Sequence, residues 1–424
     1  MEGCSARQNR NQKRSIHGVC EYFRQLLLGS RSRRCPTSRI HAVVRCPTSD
    51  IHVVVSSILT PQCALHGDLE QALRRIQWST LLLFLLLPLI VSCERQTPFY
   101  QQQLLALGTI VDISIYGADK KLAQQATNSV ANDLKAMEQR WHAWQTSDLT
   151  KLNQQLAHSA EVPASNKTTP DPEILDALRR AKQVSLTSGS LFNPAIGKLI
   201  ALWGFHGDDL PIGPPPNPDD IKALVAQHPT MQDLVIEDDS VRSTNPALQL
   251  DLAAFIKSFA VDAATEHLRK LGIRNAIVNA GGDLRAIGKH GDRPWRVGIR
   301  NPRGEGILAS LETQGDECVF TSGDYERFYA YQGQRYHHIV DPRSGYPSRG
   351  ATSATVIHQS GVSAYGASTA LLVAGPTQWR DVARKMGIEQ AMLVDAQGNV
   401  YMTPAMAKRI HFEVEPPPRI IVQP

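Results

Sequence analysis

Apolar residues return at helical spacing at Leu122, Ala126, Val130, Leu134, Met137 and Trp141, which predicts an amphipathic helix ahead of Trp144. Further helices are predicted over 172–186 and 254–271 and from 363 to 376, where Ala364, Ala367, Ala370 and Leu371 share one face. Period-two or continuous apolar runs predict strands over 104–116, 248–252, 318–320 and 352–358. Residues 276–288 read as strand, Gly281-Gly282 turn and strand; residues 327–331 and 335–340 read as a hairpin around Gln332-Gly333-Gln334. The proline-rich segment 211–218 is a surface loop.

The first 92 residues keep none of these periods. They contain C-P-T-S-R-I-H-A-V-V (35–44) and C-P-T-S-D-I-H-V-V-V (46–55), two copies of a unit too short to build a repeat fold. Charge divides at the same place. Residues 1–92 carry 12 Lys+Arg against 5 Asp+Glu, a net of +7, whereas residues 93–424 carry 33 against 35, a net of −2. The basic balance belongs to the leader and gives no argument for nucleic-acid binding. Arg74 and Arg75 precede an apolar run over 78–91, too short to cross a bilayer comfortably, and then Ser92-Cys93-Glu94, which together describe a secretory signal. Ile90-Val91-Ser92-Cys93 resembles the bacterial lipobox, which implies a lipid on Cys93. Residues 1–73 are read as a low-complexity leader with a misplaced translation start, 74–92 as the signal peptide, and 93–424 as the functional domain. Of seven cysteines, Cys4, Cys20, Cys35, Cys46 and Cys63 fall in the leader, and Cys318 is expected as a small buried apolar residue.

The chemistry concentrates in 321–347, T-S-G-D-Y-E-R-F-Y-A-Y-Q-G-Q-R-Y-H-H-I-V-D-P-R-S-G-Y-P. Hydroxyls, glycine, Arg and His converging at strand ends suit a phosphate-bearing ligand, because donors must approach anionic oxygens closely. This stretch resembles the signature of the FAD:protein FMN transferases, the ApbE family, which runs roughly T-S-G-x-Y-x-R-F and then G-x-x-Y-x-H-I-x-D-P-x-[TS]-G. Other segments are similar to the family in the same order. They are Leu107-Gly108-Thr109, the run 141–153 with Trp144 and Asn153, the run 190–205, the segment around Asp251 and Lys257, Asn279-Ala-Gly-Gly-Asp283, and 363–376.

The resemblance implies an α+β fold, one compact catalytic domain of mixed, mainly antiparallel sheet with packed helices. It implies transfer of FMN from FAD to a Ser or Thr hydroxyl of a target protein, with release of AMP and with Mg²⁺ as cofactor. His338 takes the place of the family's catalytic histidine. FAD contacts are implied at Leu107, Trp144, Leu191, Phe192, Asn193, Asp251, Lys257 and Val340, and metal contacts at the Ala254 carbonyl, Ser368 and Thr369. Arg343 reads equally as a phosphate contact or a turn residue, and His337 as structural. At the family's metal-binding Asp this chain has Tyr365, and a neutral phenol does not replace a carboxylate charge. The metal is then held by Thr369, Ala254 and the diphosphate, or by a carboxylate from elsewhere, or is lost; the last case leaves an FAD-binding lipoprotein, and an FAD pyrophosphatase is a third reading. The implied partners are FAD, an acceptor flavoprotein subunit of a membrane redox complex, and the membrane through Cys93. The implied place is the bacterial cell envelope, anchored to the inner membrane and facing the periplasm.

Overall fold

The computed structural model describes residues 39–45, 52–58, 98–161, 167–207 and 209–423. Contacts divide the chain into two units, 1–95 and 96–424. In the first, β1 (Arg39–Arg45) and β2 (His52–Ile58) form an antiparallel hairpin in which Arg39 faces Ile58 and Arg45 faces His52. Residues 42–44 of the first near-duplicate segment therefore pair with 53–55 of the second. The apolar run 78–91 and Cys93 lie outside the described residues.

The second unit begins with β3 (Phe99–Ala106), β4 (Thr109–Tyr116), α1 (Lys120–Trp141), α2 (Asp148–Glu161), α3 (Pro172–Thr187), α4 (Gly197–Leu202) and α5 (Pro218–Ala226). Then come β5 (Leu234–Glu237), β6 (Ser240–Ser243), α6 (Phe255–Lys270), β7 (Ala276–Ala280), β8 (Asp283–Ile287), β9 (Arg296–Arg300), β10 (Ile307–Glu312) and β11 (Glu317–Gly323). The chain closes with β12 (Phe328–Tyr331), β13 (Gln334–His337), β14 (Ala351–His358), α7 (Gly361–Lys385), β15 (Gln390–Asp395), β16 (Val400–Met402), α8 (Pro404–Ala407), β17 (His411–Phe412) and β18 (Ile420–Val422).

Nine strands form one sheet in the order β18-β16-β15-β14-β11-β8-β7-β4-β3, antiparallel at every pair except β16 with β18. Helices α6 and α7 pack on each other and over its central strands. The sheet β17-β10-β9 supplies a second apolar layer. The alternation along β11 sorts the two: Cys318 and Phe320 join the helix-side core, while Val319 joins the cluster of Trp295, Val297, Ile299 and Leu311. Cys318 is the free cysteine of this unit's described residues and is fully buried, as expected.

The expected strand over 104–116 is two strands. Leu107 (φ 55) and Gly108 (φ 66) take the left-handed conformation of a two-residue hairpin turn, and Ala106 pairs with Thr109 across it. Glycine adopts that geometry freely, whereas leucine holds it at a cost. The expected strand over 248–252 is also absent; the segment makes one isolated parallel bridge, Gln249 with Ile196. It is held by a side chain instead, because buried Asn153 donates to the Leu250 carbonyl at 2.9 Å and accepts from its amide at 2.8 Å. The last predicted helix runs on to Lys385, with a break where Gly375 (φ 67, ψ −179) precedes Pro376.

At the α6–α7 contact a buried guanidinium gathers carboxylates. Arg285 on β8 meets Asp316 at 2.8 and 2.9 Å, Asp262 at 3.0 Å and Glu266 at 3.3 Å, with its own side chain 10% exposed. Asp262 also accepts from the Gly361 amide at 3.0 and 3.2 Å, so the first turn of α7 is tied into the same network.

Candidate active site

A cavity of about 540 Å³ opens where these elements meet. Leu107 enters from the β3–β4 turn, Trp144 from the loop after α1, and Leu191, Phe192 and Asn193 from the loop after α3. Asp251, Ala254 and Lys257 come from the entry and first turn of α6, His338 and Val340 from the segment after β13, and Tyr365 and Thr369 from α7. The structure thus brings all but one of the expected site residues into one wall. Ser368 is the exception: one step along α7 from Thr369 turns it into the core, where it is fully buried and its Oγ lies 2.8 Å from Ser322 Oγ and donates to the Tyr365 carbonyl at 2.9 Å. It is not among the residues lining the cavity, and its link to Thr369 runs through Ser322 Oγ, 3.1 Å from Thr369 Oγ1.

His338 Nδ1 lies 3.2 Å from the Arg327 carbonyl. A carbonyl only accepts, so Nδ1 carries the proton and Nε2 is left as the ring's acceptor. Burial, with the positive charges of Lys257 and Arg327 nearby, pushes this imidazole down to about 3. It is neutral at physiological pH, with Nε2 carrying a lone pair.

Asp251 is positioned by its own turn: Oδ1 accepts from the Ala253 amide at 2.9 Å and Oδ2 lies 3.0 Å from His206 Nε2. Burial pushes this carboxyl upward, but the His206 ring, the Ala253 amide and His338 together hold it below its ordinary value. His206 also stacks on Trp144 with centroids 5.9 Å apart, and the Arg327 guanidinium lies 5.9 Å from the same indole. Trp144 is therefore held by ring and cation contacts within its own wall. His142 Nδ1 accepts from the Trp144 and Gln145 amides at 3.4 and 3.1 Å and shapes the turn that carries Trp144.

Asn193 spends its side chain on the loop, donating to the Pro229 carbonyl at 2.9 Å and accepting from the Ala195 amide at 3.1 Å. Arg343 does not line the cavity; it forms a fork on Asp341 at 2.9 and 2.8 Å, so of its two readings the turn residue holds. His337 is buried with Nε2 2.8 Å from the Ser348 carbonyl, a structural position.

The donors around Tyr365 do not fit a protein-held divalent ion. Burial keeps the phenol well above its ordinary value and hence protonated, with Thr369 as its hydrogen-bond partner. Among the described residues no group of three or more His, Cys, Asp or Glu is placed to hold a metal. The carboxylate beside this corner is Asp283, which accepts from the Thr321 amide at 3.2 Å. Burial pushes Asp283 up to about 7 against the pull of Lys257, and Asp283 in turn raises Tyr365.

Sequence reasoning passed over His206 and Asp283 as site residues. Asp283 was visible as the last residue of its glycine turn. His206 follows Phe205 in an irregular loop, and no periodicity marks it.

The ApbE family model matches residues 107–393. The chain is 36% identical over 317 residues to a FAD:protein FMN transferase of Rhodobacter capsulatus, covering 74% of this chain and 58% of that one. A FAD:protein FMN transferase of Klebsiella pneumoniae is 31% identical over 258 residues, covering 58% of this chain and 73% of its own. Among solved structures, the ApbE protein of Thermotoga maritima superimposes with a TM-score of 0.65 at 28% identity, covering 75% of this chain and all of its own. The flavinyl transferase ApbE of Pseudomonas stutzeri in its apo form gives 0.63 at 27% identity, covering 74% and 98%.

Proposed function

The chain belongs to the ApbE family, and from that premise we propose that it transfers FMN from FAD to a Ser or Thr hydroxyl of an acceptor protein. The observation that carries this reading is His338, a neutral imidazole with a free Nε2 in a cavity that also presents Lys257 and Arg327. The acceptor oxygen forms a bond to the FMN phosphorus as the P–O bond of the diphosphate breaks. AMP leaves with the bonding pair, and the hydroxyl proton passes to His338 Nε2. Lys257 and Arg327 bring positive charge to the diphosphate, and the Trp144 indole offers a face for stacking. Thr369, Tyr365 and Ala254 offer only neutral donors, so a Mg²⁺ bound here would depend on the diphosphate for negative charge, which it would help to neutralise.

The experiment incubates the chain with FAD, with and without Mg²⁺, and an acceptor domain carrying a target Thr. The expected result is an FMN-sized mass gain on the acceptor matched by AMP. Free FMN and AMP without protein labelling would mark a pyrophosphatase. Bound FAD with neither product would mark a flavin-binding protein, the reading that the protonated Tyr365 favours.

We further propose that the protein acts at the cell envelope, facing the periplasm, as a lipoprotein anchored through Cys93, with an acceptor in a membrane redox complex. The support is the basic pair Arg74-Arg75, the apolar run 78–91 and the cysteine that follows. No helix among the described residues is long and apolar enough to cross a membrane. Metabolic labelling with palmitate is expected to mark the protein and to lose that mark in Cys93→Ala. Label retained in the variant sinks the anchor.

A further inference from the structure

His337 ends β13 and His338 follows it at a bend, and the two side chains line different cavities. His338 lines the flavin cavity; His337 lines a second cavity of about 360 Å³, so one segment walls both. The second cavity collects three guanidinium residues, Arg303, Arg335 and Arg349, around one carboxylate, Asp324. Arg303 grips Asp324 through two bonds at 2.7 and 2.5 Å, and Arg335 stands 3.8 Å from it. The Asp324 side chain is 10% exposed, with the Arg303 fork as its hydrogen-bonded partner and Arg335 farther off. Arg335 is held over the Phe328 ring at 3.9 Å. Arg349 is exposed and pairs with no carboxylate among the described residues.

His337 adds no charge to this balance. The Ile339 amide donates to its Nδ1 at 3.3 Å, so Nε2 holds the proton that goes to the Ser348 carbonyl, and burial keeps the ring neutral. Three arginines against one aspartate leave a formal surplus of +2 in a concave site, where charge is felt more strongly than on open surface. A second observation points the same way. Ser348, in the wall and 6% exposed, has a buried Oγ with no hydrogen-bond partner. Arg303 already forks Asp324; the Arg335 and Arg349 guanidiniums beside it are donors of the kind a multi-oxygen anion uses.

We propose that this second cavity binds a tetrahedral oxyanion of the phosphate or sulfate type, with Arg335 and Arg349 as its charged donors. The site is separate from the flavin cavity and does not rest on the transferase reading. The anion is either free or carried as a monoester on a larger molecule.

The test uses the full 424-residue chain without FAD, and follows binding of inorganic phosphate by calorimetry at constant ionic strength set with chloride. Saturable binding is expected, weakened at least ~10-fold, or about 1.4 kcal/mol, in the Arg335→Gln/Arg349→Gln double variant. Lys257→Met, in the other cavity, is expected to leave that binding in place, which separates the two sites. Glycerol phosphate run in parallel identifies the source: tighter binding of the monoester marks a carried phosphate, tighter binding of inorganic phosphate a free one. Should the double variant fail to fold, Arg349→Glu alone, at an exposed position, gives the same reading. A response equal to that of chloride, or one unchanged in these variants but lost in Lys257→Met, overturns the proposal.

Discussion

Replacing His338 by Ala is expected to lower kcat for FMN transfer by about 10²- to 10⁴-fold, the usual worth of a positioned proton acceptor, with FAD affinity close to that of the parent. The imidazole touches Arg327 through Nδ1 and leaves Nε2 for the reacting hydroxyl, so its loss removes the acceptor and little of the binding surface. Single-turnover rates and FAD titration of the same variant check both halves, and parent-like transfer would remove this ring from the mechanism. The pH dependence carries a second signature. With His338 pushed down to about 3, the acid limb of kcat/KM in the free enzyme is expected well below pH 6.5 rather than near it. Stability moves with the same sign. The fold favours the neutral ring, so the contribution of His338 is complete above pH 6.5 and is lost as pH falls from there to about 3. His338→Ala is expected to show a smaller loss of Tm over that interval.

Arg285→Leu is expected to cost about 3–5 kcal/mol, the range for removing one partner of a buried ionic network. The side chain is nearly enclosed and compensates Asp262, Asp316 and part of Glu266, while Arg269 reaches Asp316 from outside. Leucine keeps much of the volume but leaves those carboxylates facing one another. Because Asp262 also holds the first amide of α7, the damage is expected to travel to Tyr365 and Thr369 and to weaken FAD binding more than global unfolding alone explains. Urea unfolding with parallel FAD titration checks this, and Arg285→Lys is expected to recover part of the loss. A variant as stable as the parent would show that the network contributes nothing net.

Much of this molecule is legible in its sequence where local chemistry and tertiary packing agree. The helix of Leu122 to Trp141 follows from its apolar spacing, and the β7–β8 turn from Gly281-Gly282. From the stretch 321–347, Arg327, His338 and Val340 line one cavity. What could not be read has identifiable causes. The strand over 104–116 hides its break because Leu107 takes a left-handed conformation that leucine rarely adopts, and only the Gly108 beside it hints at a turn. The segment 248–252 has a strand's composition but meets its partners through Asn153, a contact nearly a hundred residues away. Ser368 and Thr369 are equivalent on paper and differ by one step of helix rotation, which buries Ser368 fully and leaves Thr369 in the cavity wall, with Ser322 Oγ touching both hydroxyls. That His337 and His338 line different cavities depends on the bend after β13, which composition does not specify.

Cys318 has a consequence for where this fold can be made. Burial raises its thiol well above the ordinary range, so the reactive thiolate is scarce. Among the described residues of its unit no second sulfhydryl is present to join it, and the nine-stranded sheet closes through hydrogen bonds and packing. Glutathione or a disulfide-forming catalyst has nothing to act on there. The same architecture is attainable in reducing and in oxidising surroundings, so this unit's assembly is decoupled from the redox state of the compartment in which it occurs.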